Sequence, residues 1–224
     1  MRIISFFILL VLFSCSQDER SLTNKKLNYL ALGDSYTIGE SVEFTDTYPI
    51  QLRDQINSTE KIIDSVRVIA KTGWTTAQLI DTLSQLNLKY DLVSLLIGVN
   101  NQFRGYDLFQ YRNEFENLLI RSINYSKDKN NVFVLSIPDY GVTPFGKNID
   151  QEKIFREINN YNQINREISE KYDVMYFNIT DISRMAESDS TLLANDKLHP
   201  SGKMYKMWVE RIKYQIMDSL IINY

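Results

Sequence analysis

Two side chains in this sequence have chemistry that needs company. Ser35 closes the turn-forming triplet Gly33-Asp34-Ser35 at the end of the apolar run Leu27-Asn28-Tyr29-Leu30-Ala31-Leu32, and His199 is the only histidine among 224 residues. A hydroxyl is a weak nucleophile at neutral pH and needs a positioned base, a task that suits the unperturbed pKa of imidazole. Asp196 stands three residues before the ring in Asp196-Lys197-Leu198-His199-Pro200, so one short loop carries a base and a carboxylate able to orient it. The outline is a Ser-His-Asp triad, with Ser35 as nucleophile. Each piece has a plainer reading when taken alone. Gly, Asp and Ser favour turns through their own backbone chemistry, and a lone histidine often packs in a core or sits idle on a surface. Their joint occurrence, in this order, carries the weight.

Such residues must be brought together by the elements between them. Apolar runs rich in branched and aromatic residues occupy 27–32, 66–70, 92–97, 132–137 and 174–177. Their continuous rather than alternating hydrophobicity predicts strands buried on both faces of a parallel sheet. Helical spacing covers 48–56, 76–86, 106–124, 154–171 and 201–221. The alternation predicts an α/β chain folded as a three-layer α/β/α sandwich around a five-stranded parallel sheet. Sites in such sheets lie beyond the carboxyl ends of the strands. Ser35 follows the first strand, Gly73 the second, Gly98 and Asn100 the third, and Pro138-Asp139-Tyr140-Gly141 the fourth, while Asp196 and His199 precede the last helix. All of them fall on one rim.

With these residues in place the chain resembles the SGNH, or GDSL, hydrolase superfamily of lipases, esterases, thioesterases and carbohydrate acetylesterases. The resemblance spans most of the chain after the leader. Its blocks are Gly33-Asp34-Ser35, Gly73 in Lys71-Thr72-Gly73-Trp74, Gly98-Val99-Asn100-Asn101, and Asp196-Lys197-Leu198-His199. It implies a flavodoxin-like fold and a serine esterase cleaving short acyl esters, carbohydrate O-acetyl groups among the candidates, without metal or organic cofactor. Catalysis would fall to Ser35, Asp196 and His199. The oxyanion hole would comprise the backbone N–H groups of Ser35 and Gly73 and the side-chain amide of Asn100, donors of the kind acyl transfer needs. Asn101 departs from the pattern, which commonly has aspartate there, and reads as a substitution in the scaffold around the site.

Plainer readings stand beside these. Asn100 fits a turn after a strand, Gly73 fits the turn before a helix that Thr75 and Thr76 can cap, and Asp139 suits a proline-led turn as well as substrate contact. Trp74 suits either packing or stacking on a sugar ring. Met204, Met207 and Trp208 have the spacing of core packing.

The N-terminus reads separately. Arg2 precedes the apolar run 3–13, too short to span a bilayer and suited to a signal-peptide core. Leu12-Phe13-Ser14-Cys15 resembles a bacterial lipoprotein signal, in which cleavage before the cysteine frees it for lipidation, and Cys15 is the only cysteine. The expected organisation is a signal segment 1–15, a polar tether 16–26 and a hydrolase domain 27–224. Residence in the bacterial cell envelope follows, lipid-anchored at the outer membrane or cell surface, with simple secretion as the alternative. No disulfide is expected, because no second cysteine exists. Composition is that of an ordinary globular chain, 44% hydrophobic and 24% charged with a net charge of −3. Its cations are scattered, which argues against nucleic acid as a partner. Two other functions stay open: a lysophospholipase or thioesterase, and a catalytically silent surface-binding lipoprotein of the same fold.

Overall fold

The computed structural model describes residues 26–59, 62–84 and 89–222. In chain order these form β1 (Leu27–Gly33), α1 (Ser35–Ile38), α2 (Tyr48–Asn57), β2 (Ile63–Ala70), α3 (Thr76–Leu83), β3 (Leu92–Leu96), α4 (Val99–Phe103), α5 (Leu108–Tyr125), β4 (Val132–Leu135), α6 (Pro144–Lys147), α7 (Gln151–Lys171), β5 (Met175–Phe177), α8 (Thr180–Arg184) and α9 (Gly202–Ile222). The signal segment, Cys15 and nearly all of the tether lie outside the described residues.

The five strands pair in the order β2-β1-β3-β4-β5, every pair parallel. The step from β1 to β2 runs one way across the sheet and the next three run the other way. Right-handed crossovers therefore set α2 on one face and α3, α5 and α7 on the opposite face. Helix α9 packs on α2, and α5 packs on both α3 and α7, which completes the three layers. The chain reverses direction between β1 and β3, the topological switch point where open α/β sheets form their crevice.

Residue chemistry explains the boundaries. β3 and β4 are buried along their whole length and β1 nearly so, as parallel strands covered on both faces must be. β2 begins three residues before its apolar pattern does. It is an edge strand, where the exposed Asp64, Ser65 and Arg67 face solvent at no cost. Helix starts follow caps rather than periodicity. Asp107 accepts from the N–H groups of Phe109 and Gln110 at 2.9 and 3.0 Å and opens α5 at Leu108, while Asp150 accepts from Lys153 N–H at 2.9 Å and opens α7 three residues before the apolar pattern. On α9, Met204 and Trp208 are buried in the core with Met207 packed beside them. Among the described residues no helix is long and apolar enough to cross a membrane.

Candidate active site

Ser35 is the first residue of α1, a single turn that redirects the chain at the end of β1. Asp34 caps that turn, its Oδ1 accepting from Tyr36 N–H at 3.0 Å. The Tyr205 hydroxyl on α9 donates to Tyr36 O at 3.0 Å and ties the turn to the core. Asp34 is buried, and its Oδ2 finds no hydrogen-bond partner among the described residues. Burial pushes this carboxyl up to about 7, against the pull of the Tyr36 and Gly98 backbone dipoles.

The histidine loop is built from its own polar groups. Asp196 Oδ1 accepts from the backbone N–H groups of Leu198 and His199 at 2.9 and 3.0 Å, while Oδ2 lies 2.6 Å from His199 Nδ1 and accepts from the Ser41 hydroxyl at 2.7 Å. Lys197, in the left-handed region at φ 57°, lets the chain fold back around the carboxylate. Burial pushes the Asp196 carboxyl upward, but the His199 ring, the two backbone N–H groups and Ser41 outweigh it and hold the group at about 2. The carboxylate stays charged and favours the tautomer with its proton on Nδ1, which leaves the lone pair of the ring on Nε2. The Tyr36 ring meets the imidazole edge-on, with centroids 5.7 Å apart.

The third side of the site comes from the loops after β2 and β3. Gly73 sits at φ +82° and Gly98 at φ +127°, both in the region that favours glycine. At Gly98 a Cβ would also lie 2.4 Å from the Tyr111 hydroxyl, so the entry to α4 admits no side chain. Asn100 donates one Nδ2–H to Trp74 O at 3.0 Å, and a primary amide carries a second. The backbone N–H groups of Ser35 and Gly73 have no acceptor among the described residues. Asn101 is fully buried, with its side chain on Thr76, in keeping with a scaffold role.

Ser35, Gly73, Asn100 and His199 line one cleft with a volume of about 190 Å³. One side is aromatic: Phe103 from α4, Tyr140 after β4 and Phe145 from α6 stand 6.0 to 6.2 Å from one another, centroid to centroid. A hydroxyl, an imidazole with a charged partner and several N–H donors facing one space can attack a carbonyl carbon, shuttle the proton and hold the resulting oxyanion.

Of the sequence-predicted site residues, Ser35, Gly73, Asn100 and His199 line the cleft and Asp196 holds the ring of His199 from behind it; Cys15 lies outside the described residues. Asp139 does not line the cleft. It is buried beneath it, accepting from Gly141 N–H at 2.8 Å and from Arg184 Nε at 2.9 Å. Trp74 packs partly buried against the core. Sequence reasoning missed Ser41, the aromatic trio and Arg104, whose Nη2 donates to Gly73 O at 2.7 Å. Arg104 had one usable signal, its place one helical turn after Asn100.

Residues 31–207 match the GDSL-like lipase/acylhydrolase family. Among solved structures, a lipase/acylhydrolase from Enterococcus faecalis superposes with a TM-score of 0.69 at 18% identity, covering 86% of this chain and 96% of its own. The acetylxylan esterase Axe2 from Geobacillus stearothermophilus gives 0.66 at 19%, covering 87% and 95%. The psychrotrophic esterase EstA from Pseudoalteromonas gives 0.61 at 19%, covering 85% and 97%. These identities speak for the fold. No curated protein matches the sequence.

Proposed function

Because the chain belongs to the GDSL-like lipase/acylhydrolase family and is a carboxylic ester hydrolase, we propose that it cleaves short acyl esters through a covalent acyl-enzyme on Ser35. The observation that carries this reading is the shared cleft: Ser35, the Asp196-bound His199, Gly73 and Asn100 open onto the same space. Ser35 Oγ attacks the ester carbonyl while His199 Nε2 takes its proton. The oxyanion is held by the N–H groups of Ser35 and Gly73 and by the second Nδ2–H of Asn100. Collapse breaks the bond to the alcohol, which leaves with the proton from His199. Water then repeats the sequence on the acyl-enzyme and releases the acid.

The small volume of the cleft favours a short acyl group, and its aromatic side favours an apolar one. O-acetyl groups on carbohydrate meet both conditions, and an acetylxylan esterase shares the fold. The half-exposed rings of Phe103 and Phe145 give a second reading some support, that of a lysophospholipase or thioesterase whose longer chain runs out along them.

Hydrolysis of p-nitrophenyl acetate, butyrate and octanoate, followed with a fluorophosphonate probe, tests both readings. The expected result is activity falling beyond butyrate, stoichiometric labelling of Ser35, and loss of both in Ser35→Ala with Tm unchanged. A maximum at octanoate selects the second reading. A wild type inert to every ester and to the probe overturns both and leaves a surface-binding protein. We further propose that Cys15 carries a lipid that tethers the domain to the envelope membrane, a reading carried by the Leu12–Cys15 sequence alone. Mass spectrometry of the mature N-terminus tests it, and an unmodified terminus beyond Cys15 overturns it.

A further inference from the structure

The loop carrying Gly73 is tied to α4 by a concentrated set of hydrogen bonds. Asn100 Nδ2 donates to Trp74 O at 3.0 Å and Arg104 Nη2 to Gly73 O at 2.7 Å. Between them, Asn101 Oδ1 accepts from Thr76 N–H at 3.0 Å, and Asn101 Nδ2 donates to the Thr76 hydroxyl at 2.6 Å. The Thr76 hydroxyl in turn donates to Glu114 Oε2 on α5, whose Oε1 accepts from Gln110 Nε2 at 2.7 Å. Asn101 and Thr76 are fully buried.

This chain of bonds has a direction. Thr76 N–H fixes which end of the Asn101 amide is oxygen, so the amide nitrogen must face the Thr76 hydroxyl. That hydroxyl has one proton, and it goes to Glu114. An aspartate in place of Asn101 would bring a second acceptor to the same proton and leave one buried oxygen without a donor, beside a second carboxylate.

We propose that Asn101, Thr76 and Glu114 form a directed hydrogen-bond relay that positions the Gly73 loop against Asn100, and that asparagine follows Asn100 because Glu114 stands on α5. All three are positioning residues. Their effect on turnover rests on the reading of Gly73 and Asn100 as oxyanion donors. The relay reverses if both ends are exchanged by combining Asn101→Asp with Glu114→Gln. The new amide on α5 would then donate to the Thr76 hydroxyl, which would donate to the new carboxylate on α4, while that carboxylate still accepts from Thr76 N–H.

A double-mutant cycle of Asn101→Asp and Glu114→Gln tests this, with kcat and KM for p-nitrophenyl acetate measured beside Tm. Asn101→Asp is expected to lower kcat about tenfold to a hundredfold, the scale of one unsatisfied buried polar group, with KM within about twofold. Glu114→Gln alone should cost at most about threefold, because a glutamine amide can turn its oxygen to the same hydroxyl. The double variant should return to within about threefold of wild type. Wild-type kcat and Tm in Asn101→Asp would overturn the proposal, as would a double variant no better than Asn101→Asp. Coupling in Tm with none in kcat would overturn the positioning role. A wild type inert to esters defeats the reading of the site instead, and the relay then stands or falls on the Tm cycle.

Discussion

Two aspartates precede the two central groups of the cleft, and the protein treats them in opposite ways. Asp34, directly before Ser35, is buried under the end of β1 with one oxygen unpartnered among the described residues, and its carboxyl is pushed up to about 7. Asp196, three residues before His199, is partly exposed and accepts four hydrogen bonds, which hold it at about 2. The residue type is the same. What differs is how many donors reach the carboxylate relative to the water it has lost. The nucleophile turn is held by the core and tolerates a carboxyl that gains a proton near neutrality. The histidine loop is held together by the charge of Asp196, which its four donors keep in place across neutral pH.

Replacing each aspartate by asparagine breaks the comparison at either end. Asp196→Asn should produce the larger effect, a fall in kcat of about 10³ to 10⁴-fold, because an amide no longer holds the imidazole in the tautomer that leaves Nε2 free. Steady-state kinetics on a substrate cleaved by the wild type measure it; a fall below about tenfold would show that the loop orients His199 without the charge. Asp34→Asn should act mainly on stability. The folded pKa of Asp34 is raised, so its contribution is fully present below the unfolded value near 3.8 and is lost as pH rises through about 7. Asparagine keeps the cap on Tyr36 N–H but does not titrate. The stability of the variant relative to wild type, followed as Tm, should therefore climb between about pH 4 and pH 7 and level off above that, by on the order of 4 kcal/mol at most. Parallel Tm curves for the two proteins over that range would show that Asp34 does not titrate there.

Much of this site was legible in the sequence because its parts follow strands. Continuous apolar runs mark β1, β3 and β4, and Ser35, Gly73 and Asn100 come directly after their strands, so reading the strands placed the rim. The one-turn helices α1, α4, α6 and α8 were not legible, because four or five residues are too few to show a helical period. The contacts that tune the site join distant segments: Ser41 reaches Asp196 across 155 residues. The left-handed Lys197 carried no glycine or asparagine to announce it. Asn101 was visible as a departure from a pattern, but the Glu114 that accounts for it stands on another helix with nothing in the sequence to pair the two.

The strand order has a consequence for how the molecule comes apart. Ser35 and Asn100 follow β1 and β3, each flanked by neighbours on both sides, whereas Gly73 follows β2, which borders the sheet and pairs only with β1. Strands held along one side can fray without the rest of the domain melting. One of the N–H groups proposed to hold the oxyanion thus lies on the loop after an edge strand, while Ser35 and Asn100 follow strands of the sheet's interior. The bonds from Asn100, Asn101 and Arg104 cross that divide and lend the border loop the rigidity of the interior. If that border loop loosens first on warming, ester hydrolysis should fall at temperatures where the fold is still intact, which activity and Tm measured together would check.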